Sequence, residues 1–385
     1  MSATPRPQTP TPDGPPRRRR MLVLGGDGVG PEVAAQARRV ADWFAANRGL
    51  ALETVEAPYG AAAWRDGGQL LPPATLEAVR DADAILFGAI GGPEYDRIPA
   101  RVRAEGSLLR IRRELDLYAN LRPVRHWPAL AAACPLREQV AAGADIAIVR
   151  ENTGGLYFGE PRGIETLPDG RERATNTQRY ATDEIERIAR FAFELARTRR
   201  GEVCSVDKSN VLETGQLWRR VVTALHAREY ADLRLSHMLV DNCAMQLVRR
   251  PTQFDVIVTD NMFGDILSDG AGAIAGSLGM LPSASLGPVG ARGRRAALYE
   301  PVHGSAPDIE GRGIANPLGA ILSVALALRH SLDAPDEADR LGRAVEAALR
   351  DGARTADIAA PGEPTVGSAA MGDAVIRALE AGLPR

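Results

Sequence analysis

A chain of 385 residues, 45% hydrophobic and 25% charged, has ordinary globular composition and the length of two domains. A formal net charge of −2 gives no global electrostatic reason to expect nucleic acid or an acidic membrane surface as partner. No apolar run approaches the roughly 20 residues of a membrane helix. Cys134, Cys204 and Cys243 lie far apart without CxxC spacing, which fits a reducing, cytoplasmic setting rather than a disulfide framework.

Residues 1–20, rich in Pro and Thr and ending in four arginines, read as a disordered tail without the apolar stretch of a signal peptide. From Met21 onward strand-like and helix-like segments alternate. Met21–Leu24 is a short apolar run, and Pro31–Ala45 has helical character with proline in its first turn. Ala84–Phe87 reads as a buried strand ended by Gly88, and Asp145–Val149 and Asp255–Thr259 as two more. Ile185, Ile188, Phe191 and Leu195 repeat at helical spacing between them. The alternation predicts α/β layering, with helices on a largely parallel sheet. The polar segment 159–177 is either a surface loop or a protruding arm.

The cluster Gly25-Gly26-Asp27-Gly28-Val29-Gly30-Pro31 sits where a dinucleotide fingerprint would sit, but its spacing is wrong. Counting from Gly26 the last glycine is Pro31; counting from Gly28 it is Val33. No acid stands out at the end of the second strand to hold a ribose. A tight turn whose glycines permit positive φ accounts for the cluster.

In Asn261–Asp269, directly after a strand, a helix would place Asp265 and Asp269 four residues apart on one face. Two such carboxylates repel unless a cation or basic group lies between them, and all-oxygen ligands suit Mg²⁺ or Mn²⁺. The alternative is two solvent-facing acids. Arg110, Arg112, Arg113 and Arg122 surround the apolar stretch 115–121, and Arg150 ends a strand before Glu151-Asn152-Thr153-Gly154-Gly155. A guanidinium fork so placed suits a carboxylate, although any one arginine also serves as a surface ion pair. Lys208 follows a strand and is either a base or a surface charge. These residues describe an α/β enzyme with a candidate metal site and anion-binding arginines; the reaction does not follow from them alone.

From about Met21 to the C-terminus the chain resembles the β-decarboxylating dehydrogenases. The motifs are GDGVGPEV (26–33), GAIGGPEYD (88–96), LDLYANLRPV (115–124), RENTGGLYFGEPRG (150–163), SVDKSNVLE (205–213), VDNCAMQLV (240–248), NMFGDILSD (261–269) and YEPVHGSAPDIEGRGIANP (299–317). The resemblance implies a two-domain isopropylmalate/isocitrate dehydrogenase-like fold of non-Rossmann topology, with residues 21–117 and 276–385 in the first, cofactor-binding domain and 118–275 in the second. It also implies a homodimer with shared active sites, in which the second domain carries the interface and the arm near 159–177.

The same resemblance assigns roles by position. Arg112, Arg122 and Arg150 match the clamp on the substrate's carboxylates; Asp265 and Asp269 match metal ligands; Asp241 matches an acid contributed across the dimer interface, touching metal and substrate. Tyr157 and Lys208 match the catalytic pair, with Lys208 from the partner. The implied reaction is oxidation of a 3-substituted malate at C2, with Lys208 helping to remove the hydroxyl proton, then loss of CO₂ and protonation of the enol with help from Tyr157. Gly91, Gly92 and Pro93 match cofactor contacts, as do His303, Gly304, Ser305, Ala306, Pro307, Asp308, Ile309 and Asn316. Asp308 stands where NAD-using members hold the ribose hydroxyls, and its charge would repel the 2′-phosphate of NADP.

Glu105, Leu108 and Leu109 match the segment that meets the 3-substituent in the isopropylmalate branch, and Val211 would complete an apolar pocket from the partner. Leucines cannot pair a buried carboxylate, so the implied substrate is 3-isopropylmalate, the implied product 4-methyl-2-oxopentanoate, and the implied pathway leucine biosynthesis. Asn152 departs from the leucine common in that branch. The alternatives are a D-malate or tartrate enzyme and a non-catalytic regulatory subunit; the latter is expected to have lost the metal acids or the Tyr/Lys pair, all present here.

Overall fold

The computed structural model describes residues 18–290 and 294–382, so residues 1–17 of the expected tail lie outside it. Ten strands form one sheet: β1 (Arg19–Gly26), β2 (Leu52–Glu56), β3 (Ala84–Ala89), β4 (Ala119–Arg125), β5 (Asp145–Glu151), β8 (Glu202–Asp207), β9 (Arg234–Leu239), β10 (Val256–Thr259), β11 (Pro282–Val289) and β12 (Arg295–Pro301). Their order is β2-β1-β3-β12-β11-β4-β5-β10-β8-β9. The order is not Rossmann, and the sheet is mixed: β11 runs antiparallel to both β12 and β4, and β4 antiparallel to β5. The other pairings are parallel.

The first and last parts of the chain supply β2, β1, β3, β12 and β11, and the middle supplies the other five strands. The halves meet where Leu121, Asn120 and Ala119 pair with Ala284, Ser285 and Leu286. Met21 to Leu24 are buried without alternation because both faces of β1 are covered. Met21 and Val23 enter the larger core with the helices Gly30–Asn47 and Leu318–His330. Leu22 and Leu24 point the other way, onto Phe87, Ile111, Leu117 and Leu298.

Several local expectations shift. Strand β1 begins at Arg19, so the last two residues assigned to the tail are strand. Strand β3 runs on through Gly88, because its ladder with β1 continues to Gly26↔Ala89. Glu56 does end β2, against the expectation of no acid there, but it is paired with Arg38 at 2.5 Å. The helix Thr182–Arg197 buries Ile185, Ile188, Ala192 and Phe193, while Phe191 and Leu195 pack only at its margin. Segment 159–177 is not an irregular loop: β6 (Gly163–Thr166) and β7 (Glu172–Thr175) form a separate antiparallel hairpin. Its residues are almost all exposed, Ile164 by 73%, and a lone hairpin is marginal in water.

Candidate active site

The antiparallel register of β4 and β5 sets Asn120 opposite Arg150, so Arg122, two residues on, shares its face of the sheet. That face meets the helix Asn261–Ala275, which starts directly after β10 and carries Asp265 and Asp269 one turn apart. Arg122 donates from Nε to Asn120 Oδ1 (2.9 Å) and from Nη1 to Ser268 Oγ (2.8 Å) and Asp269 Oδ1 (2.7 Å); its Nη2 lies 3.2 Å from Asp265 Oδ1. Arg150 Nη1 donates to Asp265 Oδ1, and its guanidinium lies 5.4 Å from the centre of the Tyr157 ring. Tyr157, in the short 3₁₀ turn Gly155–Tyr157, donates to Asp265 Oδ2 at 2.9 Å. Arg112, buried in the helix Leu108–Glu114, pairs with buried Glu300 at 2.9 Å.

The electrostatics follow from this crowding. Burial raises the Asp265 carboxyl, but Arg150 and Arg122 outweigh it and hold the group below its usual range. Burial wins at Asp269, which is raised despite Arg122. Burial, with the repulsion of Arg122, pushes Arg150 down to about 10. Tyr157 is raised by burial and by its bond to Asp265, which keeps the phenol protonated.

Asp260 caps the same helix, its Oδ1 accepting from Phe263 N (2.8 Å) and its Oδ2 from Gln178 Nε2 (2.9 Å). Burial pushes its carboxyl up to about 6, above an unfolded value near 3.9. Ionisation of Asp260 therefore costs stability that is lost as pH rises from about 4 to 6. Asp260→Asn keeps a good cap and should raise Tm by about 2 °C or more at pH 8 but not at pH 4, measured by calorimetry. Equal shifts at the two pH values would contradict this origin.

Lys208 and Asp241 stand apart from that cluster. Lys208 follows β8, Asp241 lies in the first turn of the helix Val240–Arg249 after β9, and the pairing of β8 with β9 brings them to 2.6 Å. The hydrogen bond from Lys208 holds the Asp241 carboxyl below its usual range. Among the described residues no hydrogen bond or ion pair joins this couple to Tyr157, Asp265 or Asp269. Val211, in the turn after Lys208, is 62% exposed. Nor do the described residues of one chain gather three or more His, Cys, Asp or Glu side chains around a metal position. The donors Asp265 and Asp269 are of the right kind for a hard cation but too few, since Mg²⁺ prefers about six oxygens.

The cofactor loop lies against the glycine turn. Val29 N donates to Ser305 O at 2.8 Å, and at Gly28 (φ 58°) an added Cβ would stand 2.0 Å from the same oxygen. Gly91 and Gly92 face the Ser305 hydroxyl, and Pro93 opens the short helix Pro93–Arg97 behind them. Asp27 Oδ2 accepts from Gly91 N (3.1 Å) and Oδ1 from Ala61 N (2.7 Å), tying this loop to the turn. Ala306 adopts φ 40°, and Ile309 N closes onto its carbonyl at 3.1 Å. Gly304, Pro307 and Asp308 are exposed, while His303 Nε2 is buried without a partner. An orphaned ring nitrogen beside an exposed loop fits a cofactor-edge acceptor or donor. Asn316 fits less simply: Nδ2 is bonded to Asp357 (3.0 Å) and Oδ1 to Leu318 N (3.0 Å), leaving its backbone for any adenine contact.

In the helix Leu108–Glu114, Ile111 anchors the smaller core, Leu108 is half-buried and Leu109 is exposed. Leu109 lines one cleft with Tyr157 and Phe158. Glu105 is exposed and paired with Arg101 along its own helix at 2.8 Å. Residue-type reasoning missed Glu300, Asn120, Asp27 and Asn261. Each lies inside a motif already quoted, but nothing in its spacing distinguishes a partner of an arginine or a loop from its neighbours.

Residues 20–375 match the isocitrate/isopropylmalate dehydrogenase family. The chain is 59% identical to a protein named 3-isopropylmalate dehydrogenase 1 of Bradyrhizobium diazoefficiens, over 94% of this chain and 95% of that one. It is 60% identical to one of the same name from Bordetella bronchiseptica, over 94% and 98%. Among solved structures, an isocitrate dehydrogenase from Methylococcus capsulatus superposes with TM-score 0.81 at 34% identity, covering 94% of this chain and 99% of that one. A β-decarboxylating dehydrogenase from Thermococcus kodakarensis does so with TM-score 0.74 at 35% identity, covering 94% and 96%.

Proposed function

We infer that this chain, which belongs to the isocitrate/isopropylmalate dehydrogenase family, oxidises and decarboxylates 3-isopropylmalate to 4-methyl-2-oxopentanoate and CO₂ in leucine biosynthesis, using NAD and Mg²⁺ or Mn²⁺. The observation that carries the substrate is the placement of Leu108 and Leu109 on the same short helix as Arg112, with Leu109 and Tyr157 lining one cleft. An apolar group beside a carboxylate clamp suits a malate with a branched alkyl substituent. A D-malate or tartrate enzyme would have no use for that wall.

Arg112, Arg122 and Arg150 would hold the two carboxylates of the malate core. Asp265 and Asp269 of one copy, with Asp241 of another, would hold the divalent ion, which when bound acidifies the C2 hydroxyl and draws electrons towards its oxygen. NAD, taken by the 303–309 loop with Asp308 towards its ribose, would accept the hydride. Lys208 would help to move the hydroxyl proton, and Tyr157, kept protonated by burial and Asp265, would return a proton to C3 after CO₂ leaves.

A homodimer is supported by the exposed apolar residues Met245, Val248 and Ile266 on two adjacent helices and by the exposed hairpin. The two halves of the sheet would act as the two domains. No helix among the described residues is long and apolar enough to cross a membrane, and the three cysteines are free, which supports a cytoplasmic setting.

The test is NADH formation with Mg²⁺ and NAD, comparing 3-isopropylmalate with D-malate, tartrate, isocitrate and homoisocitrate. Preference for 3-isopropylmalate by about a hundredfold or more is expected, from burial of the isopropyl group. Preference for an acid with a polar or absent 3-substituent would overturn the role of Leu108 and Leu109. Activity with none would favour the regulatory-subunit reading.

A further inference from the structure

Asn261 is the first residue of the helix that carries Asp265 and Asp269, and it is almost wholly buried. Its Oδ1 accepts from both Nε (3.0 Å) and Nη2 (2.7 Å) of Arg150. Its Nδ2 donates to the carbonyl of Gly154 at 3.0 Å, and its backbone N–H donates to Tyr180 Oη at 2.9 Å. One amide thus ties the clamp arginine of β5 to the turn that presents Tyr157. The packing leaves little slack: a Cβ added at Gly264, one turn further on, would stand 2.6 Å from the Arg150 side chain.

The donors of Arg150 can be counted. A guanidinium has five N–H bonds. Asn261 takes Nε–H and one on Nη2, and Asp265 takes one on Nη1. The remaining two lie one on each terminal nitrogen and are the donors left for a substrate carboxylate. The choice of amide over acid also follows. A neutral oxygen fixes the plane of the guanidinium without adding a second carboxylate to the one Asp265 already supplies, whereas a carboxylate at 261 would compete with the substrate for the remaining donors.

We propose that Asn261 is the positioning residue that aims the remaining donors of Arg150 at a substrate carboxylate and holds the Tyr157 turn in register with it. This rests on the reading of Arg150 as part of the substrate clamp. The consequence is selective. Loss of Asn261 weakens the dicarboxylate more than it slows the bound complex, and it leaves the cofactor loop untouched.

The experiment compares Asn261→Ser and Asn261→Asp with wild type in steady-state kinetics and, independently of turnover, in calorimetric binding of 3-isopropylmalate in the presence of Mg²⁺. For Asn261→Ser, the KM and Kd for 3-isopropylmalate should rise by about tenfold, with a smaller fall in kcat and a KM for NAD unchanged within about twofold. Asn261→Asp should be worse, by about a hundredfold, despite preserving shape and an acceptor. A folded Asn261→Asp variant with KM and Kd within about twofold of wild type overturns the proposal. So does a parallel rise in the KM for NAD, which would mark Asn261 as merely structural. If wild type binds 3-isopropylmalate without turning it over, the substrate assignment fails while the binding comparison still decides the role of Asn261.

Discussion

Replacing Asp265 by Asn should lower kcat/KM for 3-isopropylmalate by about 10³-fold or more, with the chain still folded. In the free chain the two oxygens of Asp265 are shared between Arg150, Arg122 and the Tyr157 hydroxyl. An amide oxygen at the Oδ1 position can keep the contacts to Arg150 and Arg122, so the geometry is partly retained. What it cannot supply is the charge that holds a divalent ion. Charge stabilisation by such an ion is worth several kcal/mol at an oxyanion, and about 4 kcal/mol corresponds to 10³ in rate. The competing effect is destabilisation, because Arg122 and Arg150 would then face each other with one carboxylate fewer. The Asp265 side chain is 31% exposed, so solvent screens part of that repulsion. Rate, Tm and the Mg²⁺ dependence of rate, measured together, separate the two effects. A loss of activity that excess Mg²⁺ partly recovers at nearly constant Tm is the expected pattern, and a kcat/KM within about tenfold of wild type would remove Asp265 from the metal site.

On the proposed assignment of this cluster, ion and substrate should arrive together. Arg112, Arg122 and Arg150 are matched in the free chain by Glu300, Asp269 and Asp265. A malate dianion alone would compete with the carboxylates that already partner Arg122 and Arg150. A divalent cation alone would have to displace those arginines from Asp265 and Asp269. Together they would add no net charge: the ion would take the carboxylates and the substrate the released guanidiniums. Linkage then requires each to tighten the other.

How much of this was legible in the sequence depends on what each residue does. Runs such as Ile146–Val149 announce strands because both faces of the sheet are covered and these positions must be apolar. The four-residue spacing of Asp265 and Asp269 survives folding because a helix preserves it. Glu300, by contrast, meets Arg112 across 188 residues, a pairing set by the neighbourhood of β12 and the Leu108–Glu114 helix and not by local spacing. Asn120 reaches Ser283 and Ser285 only because β11 lies antiparallel against β4. The glycine cluster is legible as a turn from its spacing, yet its purpose is visible only once the 303–309 loop packs on it. Asn316 runs the other way, matched by resemblance to a cofactor contact while its side chain is already spent on Asp357 and Leu318.

The separation of Lys208 from Tyr157 leads to the second large effect. Lys208 is paired with Asp241 of its own chain, and Tyr157 with Asp265. If one site takes Tyr157, Asp265 and Asp269 from one copy and Lys208 and Asp241 from the other, two inactive variants must complement. Tyr157→Phe and Lys208→Met should each lower kcat by about 10²-fold or more, the loss expected for an acid or base. In a heterodimer of the two, one site inherits both lesions and the other inherits none. Random reassortment makes half the dimers heterodimers, so co-expression or refolding of an equal mixture should restore about a quarter of wild-type activity. A site built within one chain predicts no recovery at all, since each copy then carries its own lesion. The recovered activity should also scale with the heterodimer fraction isolated by differential tagging. An unrecovered mixture with that fraction present would place Lys208 and Tyr157 in one chain's site and require the two clusters to approach by movement within the fold.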